Sequence, residues 1–160
     1  MAKTRSARVT IDAPPAEVWA VLCDVGRWPE WRRNTSRATG TIQVGGQVVV
    51  ANVIPSSGRT IISRYRVVAV QPEAELRMRN AVGAEAGITL SPIDPGTRTE
   101  VVQSSTTPGY LAWLGWLAAA ARGKNWAKYV QTRLDKANQA LKHHTEQTLK
   151  HRTEHDPGTT

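Results

Sequence analysis

The sequence predicts an α+β domain in which an antiparallel strand meander is covered on one face by a long C-terminal helix. Two observations carry this. Residues 60–103 can be folded into successive hairpins that keep one face apolar through every turn. Residues 110–144 contain no proline, and Ala127, Val130, Leu134, Ala137 and Leu141 recur at three- and four-residue spacing, with Lys128, Arg133, Asp135, Lys136 and Gln139 between them.

In chain order, residues 5–11 (RSARVTI) alternate as a strand, and Asp12-Ala13-Pro14-Pro15 ends it and opens a helix. That helix, residues 16–24, carries Val18, Val21 and Leu22, with Trp19 and Cys23 widening the stripe. The stretch DVGRWPEWRRN follows. Trp28 and Trp31, three apart with Pro29 in the first turn, share one side of a short helix. Trp28 reads first as a core staple; for Trp31 the staple and the pocket mouth are equally good readings. Residues 42–50 read as a hairpin turning at Gly45-Gly46.

The next registers follow from assumed turns. A turn at Gln71-Pro72 pairs Tyr65 with Met78, Val67 with Leu76 and Ala69 with Ala74. It also sets Arg64 against Arg79 and Arg66 against Arg77 on the other face. A turn centred on Gly83 pairs Met78 with Ile88 and Leu76 with Leu90. One at Asp94-Pro95 pairs Leu90 with Thr99, Ile88 with Val101 and Ala86 with Gln103. Thr107-Pro108 then caps the long helix. Past Lys142 large apolar residues are few, and the segment is expected to fray. The organisation expected is one domain over residues 1–144 and a polar, disordered tail over 145–160.

Of 160 residues, 21 are Lys or Arg and 13 Asp or Glu, giving a net charge of +8. Lys142, Lys150 and Arg152 are balanced by Glu146, Glu154 and Asp156, so the excess lies in the domain. Such a surface suits nucleic acid, anionic lipid or an acidic small molecule, and equally suits simple solubility. The most apolar run, residues 110–121, is shorter than the roughly twenty residues a bilayer requires. The N-terminus lacks a secretory h-region. A soluble, cytoplasmic protein is expected. One cysteine, Cys23, excludes an internal disulfide.

The order of elements, with VTIDAPPAEVWAVLCDVGRWPEW, resembles the START-like (SRPBCC) superfamily, and within it the polyketide cyclase/dehydrase and lipid-transport branch. The matching residues are Glu17-Val18-Trp19, then Asp24, Trp28 and Trp31, and Gly96-Thr97-Arg98. The resemblance spans residues 5–144. It implies a helix-grip fold, in which a strongly curved sheet wraps the long helix around a cavity for an apolar ligand. The chain departs from the common pattern in having no phenylalanine.

All four histidines (His143, His144, His151, His155) lie past Lys142, in the segment expected to fray, so no Ser-His-Asp set and no metal cluster can be built, and no phosphate-binding glycine motif occurs. No cofactor is expected, and the catalytic residues are unknown. The candidate ligand pocket is Trp31, Tyr65, Met78, Asn80, Ile88, Leu90, Val101, Gln103 and Trp113. Tyr65, Asn80 and Gln103 are its polar members, able to orient a carbonyl or enol or to satisfy one another. Arg64, Arg66, Arg77 and Arg79 form a candidate surface anion patch, unless Glu75 and Glu100 neutralise it. Tyr110, Trp113 and Trp116, followed by Arg122, Lys124 and Lys128, suit either peripheral contact with an anionic membrane or a buried helix. The leading function is binding or transport of a hydrophobic small molecule or lipid. A cyclase/aromatase-like enzyme is the alternative, and an anion- or nucleic-acid-binding regulator using the arginines is a third. Nucleic acid gains no second support, since no aromatic residues interleave with those arginines.

Overall fold

Strand alternation of apolar and polar side chains produces a single antiparallel sheet. A computed structural model describes residues 2–94, 96–110 and 126–155. Its strands are β1 (Lys3–Ile11), β2 (Thr35–Gly40), β3 (Gln47–Val53), β4 (Thr60–Gln71), β5 (Glu75–Asn80), β6 (Glu85–Ile93) and β7 (Arg98–Thr107), ordered β1-β7-β6-β5-β4-β3-β2. Helix α1 (Pro15–Cys23), a single 3-10 turn (Val25–Arg27) and helix α2 (Trp28–Trp31) lie between β1 and β2, and helix α3 (Trp126–His155) closes the chain. This is the α+β arrangement expected from the sequence.

One face of the sheet is buried. Ile11, Val48, Val50, Val67, Leu76, Met78, Leu90 and Val101 meet Val18 and Leu22 of α1, Trp28 and Trp31 of α2 and Leu141 of α3 in one core. The face assignments of the meander hold except at Ala69, but each register, up to the bulge in β4, lies two residues from the expected one. Val67 faces Met78, Leu76 faces Ile88 and Leu90 faces Val101. The cause is turn length. Left-handed residues Glu73, Gly83, Asp94 and Gly96 sit off-centre in loops longer than the tight turns assumed, and an even slip leaves every side chain on its own face. A β-bulge between Val67 and Ala69 then sends Val70 inward, opposite Leu76, and leaves Ala69 opposite Arg77.

The hairpin expected within residues 42–50 is instead formed by β2 and β3. TSRATG has no clean alternation because a bulge separates Thr35 from Arg37, so the buried residues are Thr35 and Ala38. Gly45 and Gly46 lie in the loop and bond to Val67, Gly45 N–H to its carbonyl at 2.9 Å and Gly46 carbonyl to its N–H at 2.8 Å. Gly40 is obligatory, since its φ is +134 and a Cβ would come within 2.1 Å of the Gln47 carbonyl oxygen.

Helix α3 runs beside β1, an edge strand of the sheet. The Gln131 amide donates to the Ser6 carbonyl (3.1 Å), Lys142 Nζ to the Thr10 carbonyl (2.8 Å), and the Asp12 N–H to Glu146 Oε1 (3.0 Å). Fifteen helix residues rise about 22 Å and six strand residues about 20 Å, so the two elements stay in step. Polar tips on the helix thereby satisfy carbonyls along a strand edge that would otherwise invite another chain.

The frayed tail expected over 145–160 is corrected by this docking for residues 145–155, since α3 continues to His155, and residues 156–160 lie outside the described residues. Thr145 and Thr148 turn their hydroxyls back to the Leu141 and His144 carbonyls, both at 2.8 Å, and so can be buried without loss. Leu149 packs on the core, and Arg152 reaches Glu17 of α1 at 2.8 Å. A count of large apolar residues misses an interface built from threonines and charged tips. No helix among the described residues is long and apolar enough to cross a membrane. Truncation after Lys142 is expected to lower the Tm by at least about 5 °C, from lost packing and hydrogen bonds. An unchanged melting curve would show that the last turns contribute nothing.

Candidate functional site

The pairing registers place the inward residues in rows across the sheet. Gln103, Ile88, Leu76 and Val70 form one row, Ala86, Met78 and Val67 the next, and Asn80, Tyr65 and Val48 a third. Leu90 and Val101 stand opposite each other beside Val9. Seven of the nine sequence-derived pocket residues thus share the inner wall: Tyr65, Met78, Asn80, Ile88, Leu90, Val101 and Gln103. Trp113 lies outside the described residues.

The polar members divide. Tyr65 and Asn80 are cross-strand partners, and Gln103 stands three strands away beside Ile88. Asn80 is engaged, its Oδ1 accepting the Ala84 N–H at 2.9 Å to brace the β5–β6 turn. Gln103 is 8% exposed, and neither its amide nor the half-buried Tyr65 hydroxyl hydrogen-bonds to any other described residue.

Trp31 belongs to the helix seam. Its ring meets Trp28 edge-on, with centroids 6.3 Å apart at 63°, and its buried Nε1 has no acceptor among the described residues. It borders a groove of about 170 Å³ between α1, α2 and α3, with Val21, Asp24, His144 and Leu149. That volume falls below the roughly 300–1,000 Å³ of small-molecule pockets, so the groove is a surface seam, separate from the sheet's inner wall.

A residue the sequence reading passed over stands next to it. Arg32 follows α2, and its Cζ lies 4.8 Å from the Trp28 ring centroid and 5.9 Å from that of Trp31. Burial pushes its guanidinium below the ordinary arginine value, Tyr65 opposes that shift and Arg133 adds to it. The residue is half-buried by exposed area, yet burial is the largest influence on its charge. The sequence signal was the basic residue directly after W-x-x-W, where only the tryptophans drew attention.

On the outer face, the expected oppositions of Arg64 with Arg79 and Arg66 with Arg77 do not form, because of the two-residue slip. Arg66 faces Arg79, Arg77 faces Ala69 and Gly87, and Arg64 faces Val49. Arg77 pairs with Glu75 (3.1 Å) and Glu85 (3.6 Å), and Arg79 with Glu85 (2.8 Å). Half the patch is therefore compensated, by Glu85 where Glu100 was expected; Glu100 is 3.4 Å from Arg8. Among the described residues Arg64 and Arg66 have no acidic partner. No group of three metal-ligating side chains occurs among the described residues. Burial raises the Cys23 thiol above its ordinary value, which suits a small hydrophobe rather than a nucleophile.

Residues 2–146 match the family model described as polyketide cyclase / dehydrase and lipid transport. The chain belongs to this family. Solved structures of the same fold include the Zhui aromatase/cyclase of a Streptomyces species (18% identity, TM-score 0.68, all of both chains covered). A START superfamily protein of Mycobacterium smegmatis is also similar (15% identity, TM-score 0.64, 91% of this chain and 98% of that one). So is a polyketide-cyclase-like protein of Corynebacterium glutamicum (19% identity, TM-score 0.62, 94% and 96%). A comparison with curated proteins gives no significant match. At these identities the likeness establishes the START-like helix-grip fold, which leaves activity to be argued from this polyketide-cyclase family member's own residues.

One titratable group couples the seam to pH. Burial pushes His144 below its ordinary value, against the opposing pull of Glu30, whose Oε2 is 3.9 Å from Nε2. Above the unfolded value of about 6.5 both states are neutral there. As pH falls through that value the unfolded chain takes the proton first, so stability falls with acid. Between pH 8 and 5, the wild type is expected to lose more Tm than His144→Gln. Identical profiles would contradict the burial of this imidazole.

Proposed function

We propose that this protein binds an apolar small molecule or lipid between the inner wall of the sheet and the C-terminal helix, holding it by shape and a few polar anchors. The observation that carries this reading is the pair Tyr65 and Gln103. They turn a phenol and an amide toward an apolar wall of Met78, Ile88, Leu90 and Val101, with no hydrogen-bond partner among the described residues. With Tyr65 half-buried and Gln103 8% exposed, both keep hydrogen-bonding capacity for a ligand's carbonyl or hydroxyl oxygens. Asn138 adds to the argument, being 1% exposed on α3 with both amide atoms unpartnered among the described residues.

The family description covers both transport and ring-forming chemistry, and binding is the more economical reading because no acid–base pair is assembled on the wall. A cyclase-like enzyme would use Tyr65, on the inner wall opposite Asn80, as its hydrogen-bonding group to the reacting carbonyl. Trp113 belongs to the proposed pocket, and a cytoplasmic location and contact with anionic membranes go with the carrier reading. Freshly purified protein should carry a stoichiometric apolar adduct in native mass spectrometry, identifiable after solvent extraction. Leu90→Trp should cut that occupancy at least fivefold by filling the wall. A clean apo mass together with no uptake from a panel of lipids and aromatic polyketides would refute the reading.

A further inference from the structure

Several exposed arginines in this chain find acids, Arg27 with Glu30, Arg79 with Glu85, Arg98 with Asp94 and Arg152 with Glu17, while Arg64 and Arg66 on the outer face have none among the described residues. The more enclosed Arg32 finds none. Its backbone N–H closes α2 on the Trp28 carbonyl at 2.8 Å, and its extended backbone (φ −84, ψ 97) carries the side chain back across the two indoles. One face of the guanidinium is thus occupied by aromatic rings, which leaves the in-plane N–H groups. Among the described residues none of these donates a hydrogen bond and no carboxylate lies within ion-pair distance.

An arginine stays charged in proteins, and at half-buried Arg32 a charge without a partner keeps part of its desolvation cost. Stacking on indole offsets part of that cost but satisfies no N–H group. Tyr65 offsets a further part of it, and Arg133 works in the opposite direction. Among the described residues the charged side chain that acts on it is another cation, Arg133 on α3, and the polar one is the inward-facing phenol of Tyr65. A stacked guanidinium with its edge open, a second guanidinium nearby and a phenol on the wall is a local excess of donors and positive charge. The complementary group is a planar anion with two oxygens, which guanidinium binds through two parallel hydrogen bonds.

We infer that the ligand of this protein carries a carboxylate, which Arg32 binds at the α2 end of the sheet while the apolar body lies along the inner wall past Tyr65 and Met78. This rests on the interior-binding reading and narrows it to amphipathic acids. Arg32 is then the residue that selects the acid over the matching neutral molecule and fixes which end of the ligand enters last. Stacking on the tryptophans restrains the planar guanidinium, so less side-chain freedom remains to be lost when the acid arrives.

The test titrates the full chain with n-alkanoates of eight to sixteen carbons and the matching n-alkanols, read by tryptophan fluorescence and by the Arg32 Nε–Hε NMR signal. The best-fitting alkanoate is expected to bind at least about tenfold tighter than its alkanol and to move the Arg32 signal. Arg32→Gln should bring acid and alcohol to within about twofold, and Arg32→Lys should keep part of the preference, with circular dichroism confirming that both variants fold. Equal affinity of the wild type for acid and alcohol, or a preference that survives in Arg32→Gln, overturns this inference and leaves interior binding standing. If neither series binds the wild type at any length, interior binding falls and the inference falls with it.

Discussion

The indole of Trp28 is 1% exposed and donates to the Leu22 carbonyl at 3.0 Å, and this one anchored ring sets the geometry of everything around the helical end of the sheet. The bond ties the start of α2 to the last turn of α1 across the intervening 3-10 turn. With Trp28 fixed, Trp31 must lie one turn on against the same core, and Arg32 must leave α2 above both rings. A smaller side chain at position 28 would release that chain of consequences at its first link. The polar N–H makes the ring specific as well as bulky, because a buried indole without an acceptor would be penalised.

A second constraint works at the opposite edge of the core. Helix α3 must cover the inner face of the sheet and also protect the outer edge of β1, and it does both by presenting two kinds of surface. Leu141 and Asn138 are buried, while Gln131, Lys142 and Glu146 reach over to backbone groups of Ser6, Thr10 and Asp12. Because these partners follow the rise of the helix, one register of α3 against β1 is favoured. The same docking brings His144 over Glu30 and Arg152 over Glu17, so the two short helices and the long one close as a unit.

How much of this was legible in the sequence depends on what each signal measures. Alternation reports which face a residue takes, and it placed Tyr65, Met78, Asn80, Ile88, Leu90, Val101 and Gln103 together on the inner wall. It does not report register, which depends on loop length and on where a left-handed residue such as Glu73 or Asp94 can sit. Hence the pairs were displaced by two residues and the arginines were matched wrongly. Strand β2 was invisible because its bulge breaks the period of two. The last turns of α3 were missed because threonines that bond to their own helix leave no apolar stripe. Arg32 escaped notice for a different reason: a basic residue in a basic run reads as surface, and only the tryptophan rings beneath it show that its charge is enclosed.

The central claim is that an apolar ligand lies against the sheet's inner wall. Methyl-resolved NMR of the chain with a bound n-alkanol, observed through intermolecular NOEs, tests it directly. Contacts to the methyl groups of Met78, Ile88, Leu90 and Val101 are the predicted result. Contacts confined to Val44, Ile61 and Ile62, which are exposed at the surface, would contradict it.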